Sequence, residues 1–223
     1  MENQSSEGIG TRNDTQAHET LTFSSGGETS MKPLPRRFYT CETLTVAEGL
    51  LGKQLVRYTN NSRLVGKIVE VEAYRGSDDP SSHAHRGITP RNRLMFGKGG
   101  FAYVYFTYGM HHCFNVVTER ENVPGAVLIR ALEPISGIET MQKNRETENV
   151  LNLTNGPAKL TKAMNITKKQ NGLDLTRSKE LFICEPKVKE KFEVVSTKRI
   201  GIKVGADKPW RFYIKNNKFV SRR

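Results

Sequence analysis

Ile68–Asn115 reads I-V-E-V-E-A-Y-R-G-S-D-D-P-S-S-H-A-H-R-G-I-T-P-R-N-R-L-M-F-G-K-G-G-F-A-Y-V-Y-F-T-Y-G-M-H-H-C-F-N. Its first residues alternate, with Val69 and Val71 on one side and Glu70 and Glu72 on the other. A period of two predicts a half-buried strand. Gly76, Pro80, Gly87 and Pro90 then break a polar loop. Tyr103 to Tyr108 alternates again, rich in aromatic and β-branched residues, and a further apolar run reaches Val117. Two such runs around a glycine predict a β-hairpin with Tyr108-Gly109-Met110 at its tip. The stretch therefore gathers carboxylates, histidines, aromatics and arginines, and the rest of the chain supports it.

Outward from there, Val46, Leu50 and Leu51 share a helical face that stops at Gly52. Gln54–Tyr58 reads as a strand and Thr59–Ser62 as a turn. Gly125–Ala131 is an apolar run of the kind found in buried strands, with Arg130 an unusual member. Ile135–Arg145 reads as an amphipathic helix. Asn155-Gly156-Pro157 opens a helix from Ala158 to Asn165, since proline suits the first helical position. Lys159 sits where free N–H groups could hold a phosphate; an ordinary capped helix with solvated lysines is the equal alternative. Arg199–Val204 and Arg211–Ile214 alternate like strands.

The chain has 223 residues, 36% of them hydrophobic, enough for one domain with a real core. No apolar run approaches a membrane span, and the N-terminus has no secretory pattern. Cys41, Cys113 and Cys184 are far apart and odd in number, which fits a reducing compartment better than a disulfide framework or a cysteine zinc site. Residues 1–31 are poor in large apolar side chains, so a disordered tail is expected there. The folded domain is expected over 32–220, with a loose basic end at 221–223. Lys32–Arg37 carries a short basic run that could serve nuclear import.

The formal net charge is +12. Residues 1–31 hold one basic and five acidic side chains, which leaves 34 basic against 18 acidic beyond them. A body that basic points to a polyanion, nucleic acid first. Lysine-rich solvated helices are the plainer alternative.

Chemistry can be built from the same residues. Glu72 could activate a water as general base. Tyr74 and His83 offer flat faces to a planar group, and Tyr105 lies further along the hairpin. Arg130 could orient Glu72. Taken singly, each has a plainer reading as a solvated or core residue; together, in a basic chain, they favour a site. Tyr108 at a glycine turn could wedge between bases or pack back on its own strand. Enzymes that act on a base extract it from the stack. His83, His85, His111, His112 and Cys113 match no common zinc spacing, and adjacent His111 and His112 on a strand face opposite ways.

The runs V-E-V-E-A-Y, S-S-H, T-P-R-N-R-x-M-F, Y-V-Y-x-x-Y-G-M, C-x-N, L-I-R-A-L-E-P and G-P-A-K-L resemble those of the alkyladenine (3-methyladenine) DNA glycosylase family, in order, from about Pro35 to Tyr213. The resemblance implies Glu72 as the base that activates water and Arg130 as its positioning partner. It implies Tyr74, His83 and Tyr105 around the flipped base, and Asn115 as the residue that crowds the amine of undamaged guanine. It implies Tyr108 as the intercalating residue; Met110 beside it and Lys159 are expected at the DNA backbone. His111, His112 and Arg75 have no assigned match. The implied fold is α+β, a single mixed domain with a curved antiparallel sheet, surrounding helices and a DNA-inserting hairpin. The implied enzyme is a monofunctional hydrolase that removes 3-methyladenine, 7-methylguanine, hypoxanthine and ethenoadenine in base excision repair. It would act on damaged double-stranded DNA as a monomer, without cofactor, metal or membrane attachment. It would work in the nucleus of a eukaryote or otherwise in the cytoplasm. A non-catalytic damaged-DNA-binding module is the alternative; it would not need Glu72.

Overall fold

The computed structural model describes residue 1 and residues 31–60, 62–107 and 109–222. The tail expected over 1–31 thus falls almost wholly outside the described residues, as do the tip residue Tyr108 and the terminal Arg223. From Met31 onward the chain is one unit.

In chain order the helices and strands are α1 (Arg36–Tyr39), α2 (Thr43–Leu50), β1 (Gln54–Thr59), β2 (Ser62–Tyr74), β3 (Ala102–Thr107), β4 (His111–Val117), β5 (Ala126–Ser136), α3 (Ile138–Arg145), α4 (Pro157–Ala163), β6 (Leu181–Cys184), β7 (Val194–Thr197) and β8 (Arg211–Ile214). All strand pairs are antiparallel, in the order β3-β4-β5-β2-β1-β6, with β8 on β2 and β7 on β8. The fold is the expected α+β, a curled antiparallel sheet with a few short helices. The long strand β2 is its spine: it pairs with β5 along one edge and with β1 and then β8 along the other. Val46, Ala47 and Leu50 of α2 close the core over Ile68, Val71 and Ile129. Each fully buried valine, leucine or isoleucine here contributes roughly 1.5–3 kcal/mol. The helix stops where Gly52 takes a left-handed φ of 78°.

Three sequence expectations need correction. The strand around Glu72 is not half-buried, because Val69, Glu70, Val71 and Glu72 are all fully covered. The polar side of the alternation meets arginines instead of water. The strand from Gly125 does not end near Ala131 but runs to Ser136, and the helix starts only at Ile138. Residues 199–204 are not a strand; Gly201 takes a left-handed φ of 75° and Arg199 turns inward to Asp79. The strand nearby is β7, just before this segment. The basic run at the entry is partly internal: Arg36 donates to Asp174 at 2.5 Å and to Gly99 O at 2.6 Å. The C-terminal end is likewise tied down at Ser221, as described below. Among the described residues no helix is long and apolar enough to cross a membrane.

Candidate active site

The site is laid out by strand register. Tyr103 of β3 is opposite Asn115 of β4, Asn115 is opposite Leu128 of β5, Leu128 is opposite Glu72 of β2, and Glu72 is opposite Arg211 of β8. Directly opposed residues share a face of a sheet. Five side chains that are distant in sequence therefore form one row. In the neighbouring row Tyr105 is opposite Cys113.

A register shift adds the cation. Ile129 pairs with Val71 and Ala131 with Glu70, so Arg130 is the extra residue of a bulge. Bulges re-aim side chains. Here the guanidinium reaches two carboxylates: Nη1 is 3.2 Å from Glu72 Oε2, and Nε donates to Glu70 Oε1 at 3.2 Å. Burial pulls the Arg130 pKa down, but Glu72 and Glu70 outweigh it, and the net shift is upward.

Glu72 has no exposed surface. Its Oε2 also accepts the Tyr74 hydroxyl at 2.8 Å, and its Oε1 accepts the Ile200 N–H at 2.7 Å. Burial, followed by the charge of Glu72 and the hydrogen bond to it, pushes the Tyr74 phenol well above its ordinary range, so it stays a donor. Glu70 is just as buried. It accepts from Arg211 Nε at 2.7 Å and from the N–H and hydroxyl of Ser221 at 2.7 and 2.9 Å.

In front of Glu72 lies a cavity of about 290 Å³, lined by Tyr74, His83, Tyr103, Tyr105, Asn115 and Arg130 among others. That is close to the lower end for ligand pockets, room for one small planar group rather than a large ligand. Glu72 stands one layer behind this wall, screened by Tyr74, Arg130 and Ile200. A larger cavity of about 580 Å³ near Phe192 and Lys187 contains none of these residues, so size alone is a poor guide to the chemistry.

His83 is on the exposed rim, its ring edge-on to Tyr105 with centroids 4.7 Å apart, and its Nδ1 is 2.9 Å from the Tyr103 hydroxyl. Partial burial, with Arg91 adding to it, lowers the His83 pKa. Burial raises the Tyr105 phenol far above its ordinary range, with Cys113 adding to the shift. Asn115 is 3% exposed and donates to Tyr103 O at 3.0 Å, which fixes its amide. Asn92 donates to the carbonyls of His83 and Gly87, stitching the loop that carries the histidine.

The structure thus brings Glu72, Arg130, Tyr74, His83, Tyr105 and Asn115 to one place. Met110 is apart from them, 69% exposed at the hairpin tip. Lys159 donates to the amide oxygens of Asn152 and Asn155 at 2.6 and 2.8 Å, so its ammonium is already held within the chain. Among the described residues no group of three or more His, Cys, Asp or Glu side chains is placed to hold a metal ion. Sequence reasoning missed Glu70, Tyr103, Arg91, Asp79 and Arg199. Arg91 lies within the T-P-R-N-R run, 5.1 Å from the Tyr105 ring centroid, and could have been found there. The buried partners of Asp79 and Glu70 leave no local signal.

A basic body with a slot of aromatic rings backed by a carboxylate and an arginine is the equipment of an enzyme that works on a nucleobase. Residues 37–218 match the family model for methylpurine-DNA glycosylase. A relative from Carboxydothermus hydrogenoformans is 52% identical over 190 residues, covering 85% of this chain and 99% of its own. One from Alkaliphilus oremlandii is 49% identical, covering 85% and 99%. One from Clostridium acetobutylicum is 50% identical, covering 84% and 97%. Each carries the name "Putative 3-methyladenine DNA glycosylase". The protein is therefore a DNA glycosylase. It belongs to the methylpurine-DNA glycosylase family.

Proposed function

We propose that the protein is a monofunctional glycosylase that turns alkylated or deaminated purines out of duplex DNA and hydrolyses their N-glycosidic bond. The observation that carries this reading is the buried Glu72 carboxylate directly behind an aromatic slot, held by Tyr74, Arg130 and the Ile200 amide. An entering nucleotide and water displace one of the three donors and open the carboxylate to the cavity. Glu72 takes a proton from the water, the oxygen attacks the anomeric carbon, and the bonding pair leaves with the purine. An abasic site remains. Arg130 holds the carboxylate and the water in place.

Tyr74 and His83 stack on the base, with Tyr105 along its edge. Electron-rich rings favour cationic purines such as 3-methyladenine and 7-methylguanine. Neutral hypoxanthine and ethenoadenine fit the same slot and depend on hydrogen bonds to the leaving base. Asn115, fixed by Tyr103 O, crowds the amine of guanine. Tyr108 fills the gap left by the flipped nucleotide, and flipping costs a few kcal/mol, least at a damaged pair. Affinity for undamaged duplex is electrostatic and falls with salt.

The test is Glu72→Gln, which keeps the shape and removes the base. Duplex binding should persist while release of hypoxanthine or 3-methyladenine drops by about 10²–10⁴-fold. Near-normal release in that variant would falsify the assignment. A module that only recognises damage would show no release even before mutation.

A further inference from the structure

One buried ion pair clasps the loop after β7 to the cavity wall. The Arg199 side chain is fully covered. Its Nη1 donates to Asp79 Oδ2 at 2.6 Å and to Ala73 O at 2.9 Å, and its Nη2 donates to Asp79 Oδ1 at 2.7 Å. The guanidinium carbon is 4.7 Å from the Tyr74 ring centroid and 5.2 Å from that of Trp210. Tyr74 lines the cavity and Arg199 does not, so the cation backs the ring. The next residue donates the N–H that caps Glu72, and Ile200, Gly201 and Ile202 complete the cavity wall. Asp79 also accepts from the backbone N–H groups of Arg75 and Ser81. The pair therefore joins the end of β2, the loop that leads to His83 and the segment that carries Ile200.

We propose that the Asp79–Arg199 pair is the positioning element of this site: it holds the Ile200 amide on Glu72 and the Tyr74 ring against the cavity before any nucleotide enters. This rests on the reading of Glu72 as the base. A bidentate guanidinium–carboxylate pair admits one geometry, and loss of either partner strands a buried charge. Residues 199–205 form no strand, and Gly201 and Gly205 both take left-handed φ, at 75° and 61°. With no ladder of backbone hydrogen bonds, side-chain anchors set where the segment lies. Arg199 is one residue from the amide that it positions. Misplacement by about 1 Å can cost on the order of 100-fold in rate.

The experiment compares wild type, Asp79→Asn, Arg199→Lys and Glu72→Gln on a hypoxanthine-containing duplex. Three quantities are read: the single-turnover excision rate, the duplex Kd, and hydrogen exchange at the Ile200 amide. Asp79→Asn should lower the rate by on the order of 100-fold while Kd stays within about three-fold. Its Ile200 amide should exchange at least about ten-fold faster. Arg199→Lys keeps the charge without the fork, so it should fall between wild type and Asp79→Asn. An unchanged rate, equal losses in rate and affinity, or unchanged Ile200 exchange in Asp79→Asn overturns the proposal. If Asp79→Asn does not fold, Arg199→Lys and the wild type decide: an unprotected Ile200 amide in wild type, or full activity in Arg199→Lys, overturns it. Glu72→Gln separates the two layers. Full activity there removes the base and this proposal together; an inactive Glu72→Gln beside an undisturbed Asp79→Asn removes the positioning claim alone.

Discussion

The Tyr74 hydroxyl donates to Glu72 Oε2 at 2.8 Å, on the same carboxylate oxygen that Arg130 contacts at 3.2 Å. One side chain thus offers a stacking face to the cavity and a hydrogen bond to the acid behind it. Tyr74→Phe divides these roles. The face stays and the donor goes. We expect duplex affinity close to wild type and single-turnover excision lowered about ten-fold, equivalent to about 1.4 kcal/mol. Rapid-quench measurement of base release checks this; a wild-type rate would mean that the phenol does not hold the carboxylate.

Glu70 carries stability rather than chemistry. Itself fully covered, it takes hydrogen bonds from the buried Arg130 and Arg211 and from the half-buried Ser221. Glu70→Gln takes the carboxylate from the buried Arg211 and leaves the buried Arg130 with Glu72 alone. The expected loss is about 3–5 kcal/mol in urea unfolding. A change within about 0.5 kcal/mol, the range of an ordinary surface substitution, would show that the cluster is not a keystone.

The depressed His83 pKa has a signed consequence. Partial burial and then Arg91 disfavour the imidazolium, and Tyr103 and Tyr105 surround the ring without neutralising it. His83 is therefore neutral at neutral pH. As pH falls through its lowered pKa it becomes cationic and opposes a cationic base. On the inactive Glu72→Gln background, affinity for 7-methylguanine should fall more steeply than affinity for hypoxanthine between about pH 8 and 5. Parallel curves would place His83 away from the bound base. The stability link has the same sign. The unfolded chain takes up the proton first, so the contribution is present above the ordinary imidazole range and lost as pH drops towards the folded value.

Asn115 occupies space in a cavity of about 290 Å³ and is locked by Tyr103 O. Asn115→Ala should admit undamaged guanine, raising guanine release relative to hypoxanthine by about ten-fold. The lost hydrogen bond should cost stability by about 1 kcal/mol. Quantifying free bases released from undamaged duplex decides the matter, and unchanged discrimination removes the role.

Much of the fold was legible because its signals are local. Period-two alternation marked β3 and β8, and an apolar run marked β4; proline at the first position marked α4; and glycines marked the stop of α2 and the hairpin turn. The site was legible through motifs more than through physics, since nothing in Val-Glu-Val-Glu says that both carboxylates are dry. The misreading of 199–204 has the same origin. Arg-Ile-Gly-Ile-Lys-Val alternates as a strand does, yet the arginine finds its partner 120 residues upstream.

By itself, the sequence determined where most of the strands and helices form, that the body is strongly basic, and which family the chain resembles. All of these are properties of short windows or of composition. Only the tertiary structure decided that Glu70 and Glu72 are buried, that a bulge turns Arg130 onto both, that Asn115 and Leu128 fall in line with Glu72, and that Arg199 pairs with Asp79. The environment of a charge depends on which segments register against it across the sheet, and no local stretch of sequence contains that information.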